Sequence, residues 1–299
     1  MTKWTRIKDL IKKYKVFIEL LVSIIFISIL VTKFLDMNNF TKEIEQTNYI
    51  LLLYTLIFTL LSWIFRAIRW REITTIYKQI SIKDSLKFYL IGVYYGSITP
   101  GKIGEFVKGL SYAKKYGISK QNGLASVFFE KVFDIIVFVI FVGSYLLTKN
   151  LLIMIVCSLV LTPIIWTIFV KLGIKTHNIP FLKKINFPKI NLNKELFLIT
   201  ITSVITWICF SIVAFIILKS LNVTIPITYL LYCVSLAVII TIIPISFNGW
   251  GLRESAYVFL LKDFISPNIS IFFSVLFVFL TTYFLAILGL ITKLSKVHK

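Results

Sequence analysis

Several uninterrupted apolar runs of about twenty residues constrain this chain more than any other feature. They cover approximately residues 16–35, 48–65, 123–147, 151–170, 196–218 and 270–292. A helix of about 20 apolar residues spans the hydrocarbon core of a bilayer, where only helices and closed barrels satisfy their own backbone. Composition agrees: 58% of the 299 residues are hydrophobic, 15% are charged, and mean hydropathy is +0.89. Soluble domains carry roughly 25% charged residues. A soluble enzyme, a secreted disulfide scaffold and a disordered tail are thereby excluded. Cys157, Cys209 and Cys233 lie inside apolar runs without disulfide or zinc-ligand spacing. The histidines, His177 and His298, are too few for a His-based metal site. No metal and no cofactor are expected. The basic segment 1–15 has no small-residue cleavage site after the first run, so that run reads as a retained span.

Two further apolar stretches are too short for a simple crossing. Phe88 to Ile98 ends in Thr99-Pro100-Gly101, and Tyr229 to Ile245 runs through Pro244 into Asn248-Gly249-Trp250-Gly251. Proline and glycine at those ends break a helix. Each stretch therefore reads as one arm of a re-entrant hairpin, with return arms from Gly104 to about Lys114 and from Leu252 to about Leu261.

Charge sets the orientation. The net charge of +20 would suggest nucleic acid in a soluble protein, but in a membrane protein Lys and Arg collect in the cytoplasmic loops. Segments 1–15, 66–87, 101–122, 171–195 and 293–299 hold 26 of the 33 Lys and Arg. Both termini and the 171–195 loop are therefore expected in the cytoplasm, at the cell (plasma) membrane, with no nucleic-acid partner. The first hairpin then enters from the cytoplasm and the second from outside. The expected fold is all-α and integral to the membrane: six full spans plus two re-entrant helical hairpins, forming two inverted repeats, about 16–147 and 151–292, of a single domain over 1–299. Gly/Pro-interrupted short segments at matching places in two halves mark inverted-repeat transporters and their sites. The two tip glutamates, Glu105 and Glu254, stand 149 residues apart, half the chain.

Candidate site residues cluster at these breaks. In Pro100-Gly101-Lys102-Ile103-Gly104-Glu105, a helix starting after Gly101 would aim free N–H groups at mid-membrane, a seat for phosphate or carboxylate. Lys102 and Lys108 add positive charge. The bland alternative has Glu105 capping its helix and pairing with Lys108. The second tip repeats the pattern with Asn248, Gly249, Gly251, Arg253 and Glu254, and Arg253 is suited to two-pronged recognition of a phosphate; the bland alternative is an Arg253–Glu254 pair at the outer interface, snorkelling to water. Glu130, Lys131 and Asp134 interrupt an apolar span. Ionisable groups there are expensive and mark function by default, although at the cytoplasmic interface Lys131 or an arginine of a neighbouring helix would neutralise them equally well. Arg66, Arg69, Trp70 and Arg71 close the second span and read as a headgroup-level anchor, with lipid-phosphate contact as the alternative. Walker, dinucleotide and Ser/His/Asp motifs are missing, which disfavours an ATP-driven pump.

Arg66-x-x-Arg69-Trp70, Pro100-Gly101-Lys102-Ile103-Gly104-Glu105, Glu130-Lys131-Val132-Phe133-Asp134 and Asn248-Gly249-Trp250-Gly251-x-x-Glu254 together resemble the lysylphosphatidylglycerol synthase transmembrane region, a flippase-like integral membrane family. Family members more often carry Arg where this chain has Lys102 and Lys131. The resemblance extends from about residue 10 to 292. It implies movement between leaflets of a membrane lipid substrate, an anionic or aminoacylated phospholipid or a polyprenyl-linked lipid. The fused members carry a soluble lysyl-transfer domain. This chain ends at Lys299, seven residues after its last apolar run, so that activity is not expected of it. Two alternatives stay open: a lipid-modifying enzyme of the phosphatidylglycerol lysyltransferase or another type, and a non-catalytic subunit anchoring a lipid- or glycan-synthesis enzyme.

Overall fold

A computed structural model describes residues 20–34, 36–175, 194–242 and 246–294. The basic N-terminal segment, most of the 171–195 loop, Pro244 and the extreme C-terminus lie outside the described residues. Within them the chain is helical, without strands. In order come α1 (Leu20–Phe34), α2 (Met37–Glu45), α3 (Tyr49–Thr74), α4 (Ile82–Ser97), α5 (Val107–Tyr116), α6 (Lys120–Thr148), α7 (Leu151–Lys175), α8 (Lys194–Ser220), α9 (Ile227–Ile242), α10 (Leu252–Leu260), α11 (Pro267–Val278) and α12 (Phe284–Leu294). Among the described residues, four helical stretches are long and apolar enough to cross a membrane: Tyr49–Thr74, Leu151–Lys171, Lys194–Ser220 and Pro267–Leu294.

The spine is the antiparallel pair α3 and α8, in contact from end to end. At one end the Asn48 N–H donates to Ser220 O at 2.9 Å, and toward the other Arg69 reaches Ser203 Oγ at 3.2 Å. The second apolar run was expected to stop near residue 65, yet α3 continues to Thr74. Its polar end is not a solvated anchor. Arg69 and Trp70 are both fully buried, because the protein supplies the partners that water or headgroups would otherwise provide.

Both interrupted stretches form helix–turn–helix hairpins, α4 with α5 and α9 with α10. The first reverses through Pro100–Phe106, a 3-10 segment in which Gly101 (φ 56°) and Lys102 (φ 54°) are left-handed. Glycine adopts that conformation freely, whereas lysine there is strained. The second reverses through Phe247–Gly249, with Asn248 at φ 51° and Gly249 at φ 78°. The two tips touch. At the open end of the first hairpin, Asp84 accepts from Lys115 Nζ at 2.5 Å and from Tyr116 Oη at 2.6 Å. Partial burial pushes the Asp84 carboxyl up, but these bonds outweigh it and hold it below the ordinary range.

Contacts between elements recur in pairs across the two halves. The first arm of each hairpin packs on the last long helix of the other half: α4 on α12, and α9 on α6. Likewise α3·α4 matches α8·α9, and α5·α6 matches α10·α11. The halves are not identical. α6 runs unbroken for 29 residues, whereas α11 and α12 are joined through a π-helical turn, Phe279–Tyr283. Between α5 and α6 the backbones meet at glycines: a Cβ on Gly109 would lie 2.2 Å from Gly123 O, and one on Gly123 would lie 2.3 Å from Gly109 O.

Candidate functional site

Four charged residues of the first half, Arg69, Lys108, Glu130 and Asp134, form one network in the protein interior. Arg69, on α3, holds Asp134 in a two-pronged pair (2.7 and 3.2 Å) and Glu130 at 2.9 Å. Glu130 also accepts from Tyr89 Oη at 2.8 Å and pairs with Lys108 Nζ. Asp134 takes a further bond from Trp207 Nε1, on α8, at 2.8 Å. Glu130 and Asp134 stand four apart on α6, one turn of one face, so a single arginine bridges them. Lys108 lies over the Tyr89 ring, 3.9 Å from its centroid. Buried charges persist only when paired and hydrogen-bonded, and each charge of this set has an opposite partner within it, although Arg69 Nε is buried without a hydrogen bond. Of the two neutralising partners expected, the neighbouring-helix arginine is the one that holds both acids, buried in the protein, whereas Lys131 pairs with Glu105.

Next to this network lies a cavity of about 210 Å³, bounded by the first hairpin tip, α3, α6, α8, the two arms of the second hairpin (α9 and α10), α11 and the π turn. Its polar wall carries Arg66, Lys102, Glu105, Lys131, Asp134 and Arg253. Its apolar wall includes Ile135, Phe138, Val238, Ile242 and Phe277. A small recess behind it is lined by Arg66, Lys102, Glu105, Ser97 and Asn248.

The cations on the polar wall differ in their commitments. Lys131 pairs with Glu105, so Glu105 is bound to α6 and not to Lys108, whose ammonium is taken by Glu130. Arg253 meets Glu254 at 3.2 Å through one nitrogen, and its Nε is buried without a hydrogen-bond partner. Arg66 has no ion-pair partner among the described residues. Its guanidinium sits over the rings of Tyr89, Trp207 and Phe210 at 5.3 to 5.7 Å, and its Nε is likewise buried and unpartnered. Lys102 has no ion pair or hydrogen bond from its ammonium among the described residues.

The expected site residues thus divide. Arg66, Gly101, Lys102, Glu105, Lys131, Asp134 and Arg253 line the cavity, and Asn248 lines the recess. Arg69, Lys108 and Glu130 stand behind it, holding the wall. Glu254 is turned inward, accepting from the Gly251 N–H at 2.6 Å and Ser274 Oγ at 2.9 Å, so it caps α10. Gly104 is a packing position: its N–H donates to Thr99 Oγ1 at 2.7 Å, and a Cβ would lie 2.1 Å from Tyr95 O. Gly249 packs on Thr241, and Gly251 packs on Phe26 of α1. Of Pro100 only the backbone is placed, opening the 3-10 segment. The first return helix starts at Val107 and not after Gly101, so Pro100–Phe106 presents a strained turn instead of a helix end. Tyr89, Trp207, Phe210 and Thr281 were missed. Apolar or hydroxylated residues in apolar runs carry no signal until the fold places them beside a charge.

Long apolar helices around a buried ionic network and a half-polar, half-apolar cavity define a polytopic helical membrane protein. The sequence matches the family model of the lysylphosphatidylglycerol synthase TM region over residues 16–289, and the chain belongs to that family. It is also similar to the UPF0104 membrane protein MJ1078 of Methanocaldococcus jannaschii, with 27% identity over 188 residues, covering 57% of this chain and 80% of that protein.

Proposed function

We propose that this protein moves a lipid with an anionic headgroup between the leaflets of the membrane. The observation that carries the reading is the cavity: arginine and lysine side chains without carboxylate partners face an apolar wall across the same space. That division matches a lipid, whose phosphate needs donors and whose chains need hydrocarbon. Two-pronged donation suits Arg253 and Arg66 to a phosphate. The headgroup enters between the hairpin tips while the chains stay in the bilayer.

The halves act as inverted repeats, each hairpin entering from one side, with both termini in the cytoplasm of a cell-membrane protein. The paired helix contacts and the left-handed reversals in both tips support this arrangement, as does the family's link to membrane lipid. Rocking one half against the other along the α3–α8 spine would expose the cavity to each side in turn.

Leaflet exchange of a labelled anionic phospholipid in reconstituted vesicles tests the proposal. Arg253→Glu is expected to abolish exchange by placing negative charge where the phosphate sits. Glu105→Gln, which frees Lys131, is expected to slow it by an order of magnitude or more. The exposed Lys262→Gln serves as control. If folded Arg253→Glu and Glu105→Gln proteins exchange lipid at the wild-type rate, the tips take no part in transport.

A further inference from the structure

We infer that the headgroup this cavity takes is doubly negative: a lipid ending in a phosphomonoester or a diphosphate, not one whose headgroup carries a net positive charge. The inference rests on the transport reading above and narrows it.

It follows from charge balance around the cavity. Behind the wall, Arg69 and Lys108 are neutralised by Glu130 and Asp134. On the wall, Lys131 is neutralised by Glu105, and Arg253 by Glu254. Arg66 and Lys102 have no carboxylate left among the described residues. The tips and their supports therefore hold two positive charges in excess, at a depth where unpaired charge is costly.

Geometry shows that this excess is offered to a ligand. Arg66 and Lys102 line both the cavity and the recess behind it. Three aromatic rings fence Arg66 and keep it from swinging toward the acids of the network. The Nε atoms of Arg66, Arg69 and Arg253 are buried with no acceptor, but of the three arginines only Arg66 and Arg253 line the cavity, and Arg253 as a whole is 7% exposed. Left-handed backbone at Lys102 holds that residue on the cavity wall at a conformational cost. A dianionic phosphate offsets both charges and supplies acceptor oxygens to the orphan donors. A phosphodiester offsets only one. An aminoacylated headgroup brings ammonium groups into a site already in positive excess.

The test is binding to the purified full chain in neutral detergent, read as the shift of thermal unfolding with dioctanoyl lipids at pH 8. Dioctanoyl phosphatidic acid is expected to bind at least tenfold more tightly than dioctanoyl phosphatidylglycerol, and dioctanoyl lysylphosphatidylglycerol most weakly. Because the second ionisation of a phosphomonoester falls near about pH 6, its advantage over phosphatidylglycerol should shrink between pH 8 and pH 5. Lys102→Gln should raise the unfolding temperature of the ligand-free protein, since it removes an uncompensated charge, and should weaken phosphatidic acid binding about tenfold. Lys102→Arg should keep the binding.

The lysyl lipid binding as tightly as phosphatidic acid overturns the inference, as does a folded Lys102→Gln protein with unchanged affinity. Inorganic pyrophosphate stabilising the protein as well as the lipid does would assign the site to a soluble anion. Vesicles that exchange phosphatidylglycerol although the binding order fails would sink this inference while leaving the transport reading in place.

Discussion

Arg66 and Arg69 are three residues apart on α3, one turn of the helix, and their circumstances are opposite. Arg69 is fully enclosed and spends its two terminal nitrogens on two carboxylates and Ser203, with only Nε left unpartnered. Arg66 touches rings and a cavity. Truncating one partner of a buried ionic set strands the others and costs about 3–5 kcal/mol. Arg69→Ala is therefore expected to lower the unfolding temperature sharply in detergent, while Arg66→Ala should cost several-fold less stability and mainly weaken lipid binding. Equal destabilisation by the two would contradict the division between wall and support.

At the scale of elements, the first hairpin is pinned by contact between backbones. Gly109 and Gly123 let α5 lie directly on α6, which brings Lys108 within reach of Glu130. Gly109→Ala must force the helices apart, with an overpacking cost of about 1–3 kcal/mol and loss of that ion pair. Gly143, further along α6, has open space around its Cβ position, so Gly143→Ala should be neutral or slightly stabilising, as alanine favours helix. Thermal unfolding of the two variants side by side checks this. These elements were largely legible in advance. The long apolar runs, the Gly/Pro breaks and the return arms of both hairpins follow from local chemistry. Helix ends did not follow wherever polar residues find partners inside the protein. Arg66 to Arg71 look like an interfacial stop, and only the acids of α6, about sixty residues away, reveal that α3 continues through them. The split of the site into wall and support was hidden for the same reason. Glu105, Glu130 and Glu254 read alike as sequence, and which cation each one meets depends on helix crossings that no spacing encodes.

For the whole molecule, the orientation proposed from the positive charges has a direct check. Single cysteines at Lys149, between α6 and α7, and at Asn222, between α8 and α9, are expected to react from outside intact cells with an impermeant reagent, in a background free of native cysteine. A cysteine at Lys83, at the start of α4, should stay protected until the membrane is opened. Labelling of position 83 from outside would reverse the hairpin's side of entry and remove the inverted-repeat arrangement.

The ionic network bears, finally, on how the chain enters the bilayer as it is made. Glu130, Lys131 and Asp134 burden α6, since a charged residue at the centre of an inserting helix costs about 2.5–3.5 kcal/mol. The cations that neutralise the two acids, Arg69 and Lys108, belong to segments that leave the ribosome earlier. The order of synthesis thus delivers the counter-charges before the acids that need them. In a glycosylation-reporter assay, α6 alone should fail to insert efficiently, whereas the stretch from α3 through α6 should succeed and should lose that advantage with Arg69→Ala.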